Sequence, residues 1–258
     1  MNMEINTTTS LKVPKQAQFY CLIAKKSGIN AHTFFHMGFV NDQNQSQPLL
    51  EIGKVLDGGL RYNDQFLGVL TNALFSQTGA LIRNENNLLL KDCYIDIKHD
   101  INYSAYSVTK VQYLYFLGLL KQVDAEQRQL FQKNIDKIIA KEIQYGYVSN
   151  ETLSIQKCQQ KLLRQLYRRN FIKAFMPVDN DGNYQYQEIA QWQNQTETLE
   201  LNLKQQHNKL IHDAQHLSLT NNCRHTGLDF LNAIFNNDFD KYNQNVSKCF
   251  LSAMPCLT

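Results

Sequence analysis

Leu219-Thr220-Asn221-Asn222-Cys223-Arg224-His225-Thr226-Gly227-Leu228-Asp229-Phe230-Leu231 passes from a polar run into apolar residues at helical spacing, with a thiol at the join. The pattern predicts a helix whose first turn holds Cys223 and whose apolar face is made by Leu228, Leu231, Ile234 and Phe235. Unpaired N–H groups and the positive dipole end at such a turn favour a thiolate and can donate to an oxyanion.

A thiol nucleophile needs a base, and the candidates lie far upstream in His32-Thr33-Phe34-Phe35-His36-Met37-Gly38-Phe39-Val40. This aromatic-rich segment reads as a strand. Gln18 to Ala24 reads as the strand before it, and Lys26 to Asn30 as the turn of a hairpin. After the polar stretch Asn41 to Gln47 and Pro48, residues Leu49 to Leu56 read as a third strand, adjacent by short connection. An antiparallel meander follows.

The rest of the chain reads more coarsely. Residues 1–15 are expected to be a disordered lead-in to a single domain over 16–258. Asp64 to Gly79 suggests a short helix, Cys93 to Lys98 a strand, and Ser107 to Leu120 a helix with Ser107 or Thr109 as its N-cap. From about 124 to 210, Gln, Lys, Glu, Leu and Ile in helical order predict a helical insertion, broken at Pro177 and at Asp179-Asn180-Asp181-Gly182-Asn183. That turn has the start of a calcium loop, but the twelfth position is Ala190 where a bidentate Glu is needed, so it reads as a plain turn. In the tail beyond Asn236, Phe250-Leu251 is expected to pack back on the core.

Composition narrows the function classes. Hydrophobic residues at 43% mark a globular chain, and no apolar run is long enough to span a bilayer. A net charge of +3 is too mild for a nucleic-acid binder, and Lys161 to Arg169, where basic and apolar residues interleave, reads as a solvated helix face. Six cysteines without CxxC pairs fit neither a zinc site nor a disulfide framework, so the compartment is expected to be reducing, and chemistry by a cysteine and a histidine needs no metal or organic cofactor. The N-terminus lacks a Sec-type signal pattern. A cytoplasmic location is expected, with export into a host cell by another route left open.

In papain-like folds a cysteine at a helix N-terminus faces a histidine on an adjoining strand, and a polar residue on the next strand orients the imidazole. Here Cys223 opens the helix, His36 lies mid-strand and Glu51 lies on the following strand. His32 and His36, four apart, share one face of their strand, so either can be the base. His36 is preferred because Gly38 beside it leaves room for a substrate or for the cysteine helix. Asp57 and His32 are substitutes for Glu51, and Arg224 and His225 can raise the local positive potential.

The segments His36-Met37-Gly38-Phe39-Val40 and Asn222-Cys223-Arg224-His225-Thr226 resemble those of circularly permuted NlpC/P60 proteins, particularly the lecithin:retinol acyltransferase-like group, in which the strand histidine precedes the cysteine. The resemblance implies an α+β papain-like core with a small antiparallel sheet, a nucleophile at Cys223 and a base at His36. Glu51 stands where that group carries a second histidine, which favours peptide or amide hydrolysis over lipid acyl transfer. The expected function is therefore a cysteine hydrolase or acyl/amide transferase of peptidase, amidase or deamidase type, acting on a protein or peptide and suited to a bacterial effector. The alternative is a non-enzymatic helical interaction module in which Cys223 is a small buried apolar residue.

Overall fold

The computed structural model describes residues 10–14, 16–26, 32–56, 77–78, 80–85, 101–133, 136, 140, 172, 174, 176–178, 202–218 and 221–235. They form an α+β structure around a five-stranded antiparallel sheet. The strands of this sheet are β2 (Gln18–Lys26), β3 (His32–Val40), β4 (Ser46–Leu56), β6 (Ala80–Asn84) and β7 (Ile101–Val108), in the spatial order β6-β4-β3-β2-β7. The expected meander of β2, β3 and β4 is its centre. Two-residue β5 (Gln77–Thr78) pairs with β9 (His216–Leu217), and β1 (Ser10–Lys12) runs parallel to β8 (Met176–Val178).

The β3–β4 connection turns through Asn44, at φ 57°, a left-handed conformation that Asn tolerates well. The side-chain oxygen of Asn41 accepts from the N–H groups of Gln43 and Gln45 at 3.0 and 2.8 Å and holds the turn closed. A β-bulge follows, at Met37/Gly38. Gly38 does not leave open space for a substrate: a Cβ there would lie 2.6 Å from the Tyr20 hydroxyl, so the glycine accommodates the Tyr20 ring.

Alternation gives the sheet two chemically distinct faces. Phe35, Met37, Leu50 and Ile52 face two helices, α1 (Lys110–Lys133) and α3 (Cys223–Phe235), within the main core. Phe35 meets Phe116 of α1 and Phe230 of α3 at ring-centroid distances of 5.1 and 5.9 Å, and those two rings lie 5.2 Å apart. Each such aromatic pair adds about 1 kcal/mol beyond burial, so this trio fixes both helices to the middle of the sheet. On the other face, Tyr20, Leu22, Ala24, Phe34 and Ala105 form a second buried cluster.

Helix α1 starts at Lys110 behind a capping box. The Thr109 hydroxyl accepts from the Gln112 N–H at 3.1 Å, and the Gln112 side chain accepts from the Thr109 N–H at 2.8 Å. Thr109 is thus the cap, while Ser107 belongs to β7, whose alternating residues were missed. A third helix, α2, covers residues 202–214.

Two expected boundaries need correction. The lead-in over 1–15 includes strand β1, and Val13 just after it is buried, because Leu11 and Val13 supply apolar surface to the core. The insertion expected from about 124 to 210 begins inside α1, where Asp124 is only 2% exposed, and Ile172 and Ala174 from the same segment lie in the main core. Its described parts are therefore integral to the sheet-and-helix packing. The elements expected at 93–98, the 179–183 turn, Lys161 to Arg169 and the tail after Asn236 lie outside the described residues, as does Asp64 to Gly79 apart from Gln77 and Thr78, which form β5. Among the described residues no helix is long and apolar enough to cross a membrane.

Candidate functional site

Asn222 caps α3. Its side-chain oxygen accepts from the N–H groups of Arg224 at 3.0 Å and His225 at 3.4 Å, and from His225 Nδ1 at 3.0 Å in the tautomer that protonates that nitrogen. Cys223 is the first helical residue, as the sequence pattern predicts. Because the cap takes the next two amides, the N–H of Cys223 itself remains as the donor of this turn suited to an oxyanion. The helix buries Phe230, Leu231, Ala233, Ile234 and Phe235, whereas Leu228, expected on its apolar face, is 37% exposed.

The helix lies close against the sheet at Gly227, where a Cβ would stand 2.7 Å from the end of the Ile23 side chain. This contact brings Cys223 to the start of β3. The β3–β4 ladder begins at Phe34 opposite Gly53, so the Thr33 N–H has no part in it and donates to Cys223 Sγ at 3.4 Å. His32 hydrogen-bonds the same sulfur with its side chain. His32 Nε2 pairs with Glu85 Oε1 at 3.0 Å. Thiol, imidazole and carboxylate form one chain.

The electrostatics of the three groups agree. Burial alone raises the pKa of Cys223, but the His32 hydrogen bond, the Thr33 N–H, the charge of His32 and the Thr33 hydroxyl outweigh it and hold the thiol below its usual range. Burial pulls His32 the other way, downward, and its bonds to Cys223 and Glu85 more than compensate, raising it to about 9. Both shifts act in the direction of a thiolate–imidazolium pair.

His36, expected as the base, is not at the sulfur. It lies about 10 Å further along β3 than Thr33, by the strand rise, and both its ring nitrogens are occupied. Nδ1 pairs with Glu51 Oε2 at 3.1 Å, and Nε2 lies 3.1 Å from the Tyr20 hydroxyl, which in turn bonds Ser46. His36 and Glu51 are directly opposite across β3 and β4, and their side chains are 3% and 2% exposed. Glu51 does orient an imidazole, but one remote from Cys223. The substitute His32 takes the position expected of His36, and Asp57 lies outside the described residues.

Glu85 and Lys54 are the residues that sequence reasoning missed. Glu85 follows β6 in a polar run with no motif, and it is carried to the site by the β4–β6 pairing and its own N–H bond to Glu51 O at 3.1 Å. Gly53 makes room for it: a Cβ there would stand 2.7 Å from His32 Nε2 and 2.8 Å from Glu85 Cδ. Lys54 carried a readable signal, since alternation along β4 puts a cation in register with buried Leu50 and Ile52.

Beside the cysteine turn, between α2 and α3, is a cleft of about 410 Å³ lined by polar groups that include His207, Lys209, Asp213, Asn221, His225 and Asp229. Burial, with the nearby charge of Asp213, raises the pKa of Asp229. Among the described residues no three His, Cys, Asp or Glu side chains converge as metal ligands would. No protein-family model, curated protein or solved structure matches the chain.

Proposed function

We propose that the protein is a cysteine-dependent hydrolase or acyl/amide transferase, with Cys223 as nucleophile, His32 as acid and base, and Glu85 orienting His32. The observation that carries this reading is the continuous chain from sulfur to imidazole to carboxylate. In the reaction the Cys223 thiolate attacks an acyl or amide carbonyl carbon, forming a C–S bond while the carbonyl π pair moves to oxygen. The Cys223 N–H stabilises that oxyanion. Collapse of the intermediate expels the amine or alcohol, which takes its proton from the His32 imidazolium. Neutral His32 then deprotonates water or another acceptor, which attacks the thioester and regenerates the thiolate.

The cleft between α2 and α3, whose lining includes neither Cys223 nor His32, presents mainly polar groups, which suits a protein or peptide substrate better than a lipid acyl chain that would strand them. The interaction-module alternative treats Cys223 as apolar filling. Cys21 has that character, being fully buried with its pKa pushed up, whereas Cys223 is partly exposed and its pKa is lowered. The resemblance to permuted NlpC/P60 proteins remains a proposal that supports the general chemistry. Its His36 segment does not supply the base, so the reading stands on Cys223, His32 and Glu85.

Labelling with an electrophilic acyl probe, read peptide by peptide by mass spectrometry, tests the assignment. Cys223 is expected to label first in the wild type, about a hundredfold more slowly in His32→Gln, and at the wild-type rate in folded His36→Gln. Labelling of Cys223 no faster than that of a free thiol would sink the catalytic reading.

A further inference from the structure

We propose that Lys54 is the positioning residue of this site, an anchor on β4 that holds the segment 221–226, and with it Cys223, against the sheet. The inference rests on the reading of Cys223 as nucleophile.

Lys54 is 4% exposed, an unusual position for an ammonium group. Its Nζ donates to Asp213 O at 2.7 Å, Asn221 Oδ1 at 2.8 Å, Thr226 Oγ1 at 3.1 Å and Asn221 O at 3.3 Å. An ammonium has three hydrogens, so the two Asn221 oxygens share one of them. These acceptors belong to the end of α2, to the link before the cysteine and to the first turn of α3. One side chain therefore joins the residues on both sides of Cys223 to the central sheet.

Space filling alone does not account for a lysine here. All four acceptors are uncharged, and burying an ammonium costs several kcal/mol that an apolar side chain would not incur. Burial indeed lowers its pKa to about 8, opposed by the charges of Asp213, Asp229 and Cys223, so it still carries its proton at neutral pH. What the ammonium provides is three directed hydrogen bonds and a positive charge that interacts with the thiolate. Asn221 extends the anchor, donating through Nδ2 to Asp213 O at 2.8 Å and His216 O at 3.0 Å.

The test is Lys54→Met, which keeps most of the stem and removes the donors and the charge. Two readouts are needed: the pH dependence of Cys223 alkylation by iodoacetamide, and amide hydrogen exchange over residues 221–226. The expected result is an alkylation rate about tenfold lower at neutral pH, a midpoint moved toward that of an ordinary thiol, and faster exchange in that segment. A folded variant with unchanged midpoint and unchanged exchange overturns the proposal, and so does one that is merely less stable to heat. If Lys54→Met fails to fold, Thr226→Val removes a single acceptor with little change of shape. The same shifts, smaller, are then expected, and their absence is again fatal. An ordinary reactivity of Cys223 in the wild type would defeat the catalytic reading, while the exchange comparison would still decide whether Lys54 anchors the segment.

Discussion

The Thr33 N–H lies 3.4 Å from the sulfur of Cys223, and it reaches that sulfur because the β3–β4 ladder starts one residue later, at Phe34 opposite Gly53. A strand end thus leaves a backbone donor for the thiolate. The residue before Thr33 is the histidine that bonds the same atom, so one dipeptide brings both a backbone donor and an imidazole to the sulfur.

The ionisation of His32 follows from this pairing. Its folded pKa of about 9 lies above the ordinary imidazole value near 6.5, so its stabilising contribution is complete below about 6.5 and is lost as pH rises through about 9. Cys223 has the opposite sign: its pKa is depressed, so its contribution is present above the ordinary thiol value and is lost as pH falls through the lowered one. Where the interval between the lowered and the ordinary thiol value of Cys223 overlaps the interval from about 6.5 to about 9 of His32, the folded state holds an extra proton on His32 and lacks one on Cys223, and the two slopes of stability against pH oppose each other. Site-resolved NMR titration of His32 is therefore the sensitive measurement. Cys223→Ser and Glu85→Gln each remove an upward influence on His32, so both are expected to lower its pKa. A His32 pKa unmoved in both would show that neither group is its partner.

Gly53→Ala tests the carboxylate separately. The new Cβ would press on His32 Nε2 and on the Glu85 carboxylate, driving the two apart at the point where they meet. Cys223 labelling is expected to fall about tenfold or more, with the sheet intact by circular dichroism. Wild-type labelling in a folded Gly53→Ala protein would remove Glu85 from the assignment.

His36 and Glu51 make a contrasting prediction. Both side chains are almost fully buried, and loss of Glu51 removes the acceptor facing His36 Nδ1. Glu51→Leu is expected to lower unfolding free energy by about 3 kcal/mol in urea titration. Labelling of Cys223 in the folded fraction should be unchanged, since this pair lies further along β3.

The limits of sequence reading are physical. The meander and the cysteine helix were legible because each rests on local signals: alternation with turn residues for β2 to β4, and a polar cap before an apolar repeat for α3. The choice between His32 and His36 was not, because both share parity on β3 and only the docking of α3, set by Phe35, Phe230 and Gly227, selects the strand end. Glu85 was hidden for a similar reason. It is far from both partners in sequence, and only the edge pairing of β6 with β4 delivers it. Lys54 was legible as an anomaly of register, a charge at a core-facing position, without indicating what it held.

The Asn222 cap separates stability from reactivity at the cysteine turn. Its side-chain oxygen satisfies the amides of Arg224 and His225, and Asn222→Ala should cost about 1 kcal/mol of unfolding free energy. Asn222→Asp keeps an acceptor in the same place and adds a negative charge that suits the helix dipole, so stability should be retained. The same charge lies next to Cys223 and opposes its ionisation, so the thiol pKa should rise and labelling at neutral pH should slow. Urea unfolding and the pH dependence of labelling, measured on both variants, should therefore diverge: Ala loses stability, Asp loses reactivity. If Asn222→Asp labels as fast as the wild type at every pH, the reactive sulfur is not the one at this helix start.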